Sequence, residues 1–411
     1  MKNLFNGISL IIDDEYDKKD DIKNLIQQIE NENMPFIAFK MIPNKEMIKN
    51  FSGISFVLLD WKLTDEEVTE SVMEGVTLPS TLEESLGEEN IEFLKQLKEN
   101  VFAPVFIFTN EPKETIITKL RENGLYQDDK PTFILIKNKD ELTNDRLFSA
   151  IEEWIRSIPS IYVLKKWEES YQKAKNQLFW DFYERSPIWP KIIWDCYKKD
   201  LLVSPNDQTD YSKNLSRELG EVITRNLYTR MAPFCFEETT LQTATAYELS
   251  EVPSVLEGER FLKANFLNPD EIFTGDLFRE EYENQETHEM KSKYWLNIRA
   301  QCDLVRNSDP ELYCIKGRIL DESKAHYDNG AFIERNNQAI VAFIDDGKFI
   351  EFLFSKFEIK KWSKLKDKRI GRLLPPYITR IQQQYSLYFQ RQGLPRTPEE
   401  LIPKPRAASN E

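Results

Sequence analysis

Five short apolar runs, each followed by a segment of helical spacing, fill the first 157 residues. They are ISLII (8–12), PFIAFKM (35–41), FVLL (56–59), PVFIF (104–108) and TFILI (132–136). A run of four to seven apolar residues bounded by polar ones reads as a strand buried on both faces. The segments between them carry the helical period. Ile22, Leu25, Ile26 and Ile29 recur within 18–29, a short piece covers 45–50, and an amphipathic stretch spans 87–100. Residues 113–123 stop at Gly124, and 145–157 close the series. Strands alternating with helices predict an α/β domain with a parallel sheet wound on both faces.

In such sheets ligands collect at the carboxyl ends of the strands. The polar residues there are Asp13 and Asp14 after run one, Asp60 after run three, Thr109 after run four and Lys137 after run five. A flavodoxin-like strand order, 2-1-3-4-5, makes runs one and three neighbours and gathers three carboxylates in one crevice. Clustered carboxylates raise each other's pKa and call for a cation. Oxygen ligands without His or Cys suit Mg²⁺, which keeps water in its shell and accepts phosphoryl oxygens. A hydroxyl from Thr109 and an ammonium from Lys137 would complete a site for a phosphoryl group.

The motifs IIDDE, VLLDWKL, FIFTN and ILIKN, in this order and at these strand ends, resemble the receiver domain of two-component response regulators. The resemblance covers residues 1 to about 157. It implies that Asp60 accepts a phosphoryl group, that Asp13, Asp14 and Asp60 hold Mg²⁺, that Thr109 is the switch hydroxyl and that Lys137 contacts the phosphate. It also implies a histidine kinase or phosphotransfer protein as partner. The chain departs from the family pattern in three places. An acidic insertion, 64–86, follows Asp60. Asn138 stands where the family has proline. Ile134, beside Phe133, stands where it has an aromatic switch residue. These departures keep a second reading open, a pseudo-receiver adaptor that docks a protein without phosphorylation.

Pro159 ends the first domain at 157. Residues 160–268 read as a mainly α-helical middle region. Trp167, Tyr171, Leu178 and Phe182 sit at roughly helical spacing, either as a core stripe or as a face that suits a homodimer. A second helical stretch covers 212–229. Residues 269–396 read as a small β-barrel-like α+β domain with a C-terminal helix, and 397–411 as a tail. Its expected strands are 294–300, 312–320, 339–344 and 349–355, the last two joined through Asp345-Asp346-Gly347-Lys348 as a hairpin. GDLF (275–278) and NIRAQCDL (297–304) resemble opening strands of barrel domains in bacterial defence-associated proteins, which implies a stress or phage-defence setting for the output. Asp276, Arg299, Cys302 and Asp303 are its most notable polar residues.

Charge is uneven along the chain. The net charge is −15, and residues 1–155 hold 31 acidic against 17 basic side chains. The run KKWSKLKDKRIGR (360–372) is basic. Lys364, Lys366, Lys368, Arg369 and Arg372 would suit phosphate contacts, which supplies a third reading, a nucleic-acid-binding or nucleic-acid-acting effector. The four cysteines lack CxxC spacing, the two histidines (His288, His326) lie in polar stretches, and no G-x-x-x-x-G-K loop occurs. This disfavours a zinc centre, a His-based triad and a phosphate-loop NTPase. With no ~20-residue apolar span and acids directly after the first apolar run, the expected location is the cytoplasm.

Overall fold

The computed structural model of the protein describes residues 7–18, 20–63, 80–128, 132–138, 141, 146–200, 212–234, 247–285, 288–304, 309–320, 332–335 and 337–390. The described chain divides into two compact units. Among the described residues, the first holds those up to Phe234 and the second those from Tyr247. No helix among the described residues is long and apolar enough to cross a membrane.

The first unit is built on strands β1 (Ile8–Ile12), β2 (Phe36–Phe39), β3 (Ile54–Asp60), β4 (Val105–Thr109) and β5 (Ile134–Asn138). All pairings are parallel and the order is β2-β1-β3-β4-β5. Alternation along the strands sorts the apolar residues onto two faces. Leu10, Ile12, Val57, Leu59, Val105 and Ile107 pack on α2 (Lys45–Lys49), α3 (Ser80–Asn100) and α4 (Lys113–Glu122). Ile11, Phe56, Leu58, Phe106 and Phe108 pack on α1 (Asp20–Asn31) and α5 (Leu147–Ser157). Both faces are thus covered, which is why the strands read as continuous apolar runs.

Two departures from the sequence reading bear on the site. Helix α3 starts at Ser80 rather than 87, so part of the acidic insertion is helical, while 64–79 lie outside the described residues. Strand β5 is displaced by two residues, which places Lys137 within the strand rather than after it.

Pro159 opens a new helix, α6 (Pro159–Arg185), because its missing N–H costs nothing in the first turn. Lys165 ties this helix to the amino-terminal edge of the sheet. Its buried Nζ donates to the carbonyls of Ile54 and Phe102, both at 3.2 Å, and to Glu168 at 2.8 Å. Burial pushes its pKa down, while the Glu168 carboxylate pulls the other way. Ala174 and Leu178 are buried, and Trp167 meets Phe234 edge to face. Phe179, Trp180 and Tyr183 stay exposed. Helices α7 (Trp189–Asp200) and α8 (Ser212–Arg230) complete the unit, with Arg230 ion-paired to Asp181.

The second unit opens with α9 (Val252–Arg260) and contains an eight-stranded antiparallel, barrel-like sheet. Its strands are β6 (Phe261–Lys263), β7 (Asp276–Glu283), β8 (Met290–Asn297), β9 (Glu311–Ile319), β10 (Phe332–Arg335), β11 (Gln338–Ile344), β12 (Lys348–Lys361) and β13 (Arg369–Leu373). They run in the order β10-β11-β12-β9-β8-β7-β13-β6. The expected hairpin is present between β11 and β12, with Asp345, Asp346 and Gly347 all at positive φ. Helix α12 (Tyr377–Gln390) seats Ile378 and Ile381 in the barrel core beside Leu277, Leu296, Ile315 and Phe352. A short helix, α10 (Gln301–Leu304), and another, α11 (Trp362–Leu365), close the opposite face over Trp295 and Cys314.

The sheet has eight strands where the sequence suggested four and an opening strand at GDLF; NIRAQCDL, read as a strand, leaves the sheet after Asn297 and is helical at Gln301–Leu304. Strands β6, β10 and β13 are short, and β7 runs on past GDLF into charged residues. Gly371 shows why β13 can lie so close to β6: a Cβ there would overlap the Phe261 ring. Gly371→Ala is expected to destabilise the second unit by about 1–3 kcal/mol, read as a lowered urea midpoint. Burial pushes the Cys314 thiol up to about 12, whereas Cys196 and Cys302 are exposed. At pH 8 a maleimide is expected to label Cys196 and Cys302 and to reach Cys314 only after denaturation.

Candidate metal and phosphoryl site

The carboxyl-terminal edge of the parallel sheet brings together three of the residues singled out from the sequence, Asp13, Asp14 and Asp60. Asp13 directly follows β1 and Asp14 begins the turn after it, while Asp60 is the last residue of β3. Strands β1 and β3 pair side by side, Ile12 opposite Leu59. As a result one carboxylate oxygen from each of Asp13, Asp14 and Asp60 lies within 4.8 Å of the others, and all three residues are buried.

Local backbone contacts hold these side chains. The Asp13 carboxylate accepts from the Glu15 amide at 2.8 Å, and its own amide donates to Phe39 on β2 at 3.0 Å. The Asp60 carboxylate accepts from the Lys62 amide at 3.2 Å. The turn after Asp60 is fixed from a distance. The buried Asn90 on α3 donates its side-chain amide to the Trp61 carbonyl at 2.6 Å. Nothing in the sequence marks Asn90, since the contact spans 29 residues and forms only when α3 packs on the sheet.

The donor set fits a hard divalent cation. Asp13, Asp14 and Asp60 would supply its oxygen ligands, and the ion would offer positive charge to phosphoryl oxygens. Carboxylates alone, without a His or Cys donor, favour Mg²⁺ or a similar oxygen-seeking ion over zinc.

Thr109 ends β4 and is buried, and its hydroxyl accepts from the Glu111 amide at 3.0 Å. Lys137 is in register with Phe108, which is itself in register with Asp60. With strands ~4.8 Å apart, the Cα atoms of Asp60 and Lys137 are about 10 Å apart, on the same face of the sheet by alternation. Asn138 is in register with Thr109, and its buried amide oxygen has no hydrogen-bond partner among the described residues.

The Lys137 ammonium lies 3.7 Å from Glu141, whose carboxylate also accepts from Lys113, the first residue of α4, at 2.8 Å. The hydrogen bond from Lys113 holds the Glu141 carboxyl below the usual carboxylate range, and Lys137 adds to the effect. Glu141 was not picked out from the sequence, although opposite charges four residues apart in KNKDE were the available signal.

The basic run of the second unit is placed differently from a free cationic surface. Arg372 donates to the fully buried Asp276 at 2.6 Å, and Arg369 is 3.2 Å from the same carboxylate. Burial pushes the Asp276 pKa up, and the two guanidiniums pull it back. Lys368 pairs with Glu280 at 2.7 Å and Lys366 with Asp270 at 2.6 Å, while Lys364 is exposed. Arg299 donates to the Glu311 carbonyl and lies near Asp303, and Cys302 is exposed beside it. Among the described residues, His288 is exposed and bonded to Glu283, and His326 lies outside them.

No protein-family model matches the chain, and no curated protein matches it in sequence. What defines the class is therefore the fold and the site: a parallel α/β unit of order 2-1-3-4-5 with a buried acidic triad at its carboxyl edge, joined to a barrel-like antiparallel unit.

Asn90→Ala removes the donor to the Trp61 carbonyl. It is expected to cost about 1–2 kcal/mol of stability and to weaken divalent-cation binding at the triad. Urea unfolding and Mg²⁺ titration would measure the two effects.

Proposed function

We propose that the first unit is a receiver-type phosphoryl acceptor and that the chain is a response-regulator-like signalling protein. Asp60 is the acceptor. Asp13, Asp14 and Asp60 hold Mg²⁺, Thr109 offers its hydroxyl to the phosphoryl group and Lys137 its ammonium. A histidine kinase or phosphotransfer protein is the donor, and the barrel-like unit is the output body. The observation that carries this reading is the convergence of Asp13, Asp14 and Asp60, their oxygens within 4.8 Å, at the ends of two adjacent parallel strands.

The chemistry asks little of the protein beyond position and charge. A carboxylate oxygen of Asp60 attacks the phosphorus in line. The bond to the donor nitrogen breaks, and the imidazole leaves with the electron pair. A bound divalent cation supplies charge neutralisation for the phosphoryl oxygens. The flanking strands hold Asp60 in place, and the Asn90 contact fixes the turn beyond it, so little reorientation remains to be done during transfer.

The test is intact mass after incubation of the full chain with Mg²⁺ and acetyl phosphate. Wild type is expected to gain one phosphoryl group, and Asp60→Asn none. Asp13→Asn is expected to slow charging by at least tenfold, and added EDTA to abolish it. Absence of any adduct in wild type, with Mg²⁺ bound, would turn the reading toward an adaptor that docks a partner through an uncharged receiver.

A further inference from the structure

We infer that Glu141 is an internal anion that occupies Lys137 until a phosphoryl group on Asp60 displaces it. The inference rests on the reading of Asp60 as the phosphoryl acceptor. It goes beyond that reading by assigning a residue that sets how readily the site is charged.

The geometry is that of one carboxylate shared by two ammonium groups from different elements. One Glu141 oxygen accepts from Lys113, at the start of α4, at 2.8 Å. The other lies 3.7 Å from Lys137 on β5. Lys137 is the cation whose strand position is in register, through Phe108, with Asp60. Its flexible four-carbon stem reaches either Glu141 or the space above Asp60. A single negative charge therefore stands where Lys137 would otherwise turn to the incoming phosphoryl group. Lys113 anchors that charge, and Glu141 ionises readily because Lys113 and Lys137 favour its charged form.

The competition has a direction. A phosphorylated aspartate presents three acceptor oxygens and close to two negative charges, against one charge on Glu141. Once the phosphoryl group is in place, Lys137 gains more by turning to it. Glu141 is then left with Lys113 alone, and the pairing between β5 and the start of α4 is broken. Both lysines are about one-third exposed, at 33% for Lys137 and 31% for Lys113. Solvent screens such pairs, so the restraint changes the charging rate by about two- to fivefold rather than by orders of magnitude.

The transfer itself is balanced without Glu141. An Asp60 oxygen forms the new O–P bond, and the P–O bond to acetate breaks. Acetate leaves with the electron pair.

The experiment compares initial rates of phosphoryl uptake from acetyl phosphate, with Mg²⁺, in full-length wild type, Glu141→Gln, Lys137→Met and the double variant. In parallel, acetic anhydride labelling of Lys113 is mapped by peptide mass, with and without Mg²⁺ and beryllofluoride. Glu141→Gln is expected to charge two- to fivefold faster than wild type. The double variant is expected to show no gain over Lys137→Met, because the restraint acts only through Lys137. Beryllofluoride is expected to change Lys113 labelling in wild type and not in Glu141→Gln. Equal uptake by wild type and Glu141→Gln would overturn the inference and leave the acceptor reading standing. A gain from Glu141→Gln that persists without Lys137 would also overturn it. No uptake by any of the four proteins would overturn the acceptor reading, and the inference with it.

Discussion

Parallel pairing of β1 with β3, Ile12 opposite Leu59, is the constraint on which the candidate site depends. Side chains alternate along a strand, so a slip of one residue would send Asp60 to the other face of the sheet. The register is held by burial on both faces. Leu58 and Phe56 lock into one core cluster, and Leu59 and Val57 into the other, all nearly inaccessible to water. Exchanging the two sets would disturb both cores at once. The apolar sequence FVLL thus does more than stabilise the unit. It fixes where the following carboxylate emerges, and the registers of β4 and β5 place Thr109 and Lys137 at the same edge of the sheet.

The two ends of the sheet carry charge in different ways. At the amino-terminal edge Lys165 is buried and held by two carbonyls and Glu168, which fixes α6 to the sheet. At the carboxyl edge three carboxylates converge, and the nearest strand-borne cation, Lys137, is paired to one side with Glu141. The first arrangement is satisfied within the protein. On the proposed reading the second would hold a cation, and an added phosphoryl group would redistribute its ion pairs. In the other unit, Asp276 with Arg369 and Arg372 resembles the first kind. Removing either arginine would leave a buried carboxylate with less compensation, which is costly.

Much of the first unit was legible because strands buried on both faces leave long apolar runs, and because four of the five runs are followed by a polar residue. Asp13, Asp14, Asp60, Thr109 and Lys137 were all readable this way. Asn90 was not, since its role arises from a helix packing across 29 residues. The barrel-like unit was harder for a related reason. RIGRL and DLFREEYE mix charged residues among few apolar ones, and several of the charged ones find partners far away in sequence. Arg372 and Asp276 are 96 residues apart, so the basic run around 369 read as a surface for phosphate contacts although Arg369 and Arg372 close onto a buried carboxylate. Strand β12 was expected to end at 355. It continues to Lys361 through a register shift between Leu353 and Phe357, a bulge that no local pattern announced.

The central claim is that the acidic triad is a cation site, and direct calorimetric titration of the full chain with Mg²⁺ tests it most closely. The account predicts one ion bound per chain in wild type, with binding lost in Asp13→Asn while the melting temperature is kept. Titration to tens of millimolar Mg²⁺ with no binding, or binding unchanged in Asp13→Asn, would contradict it.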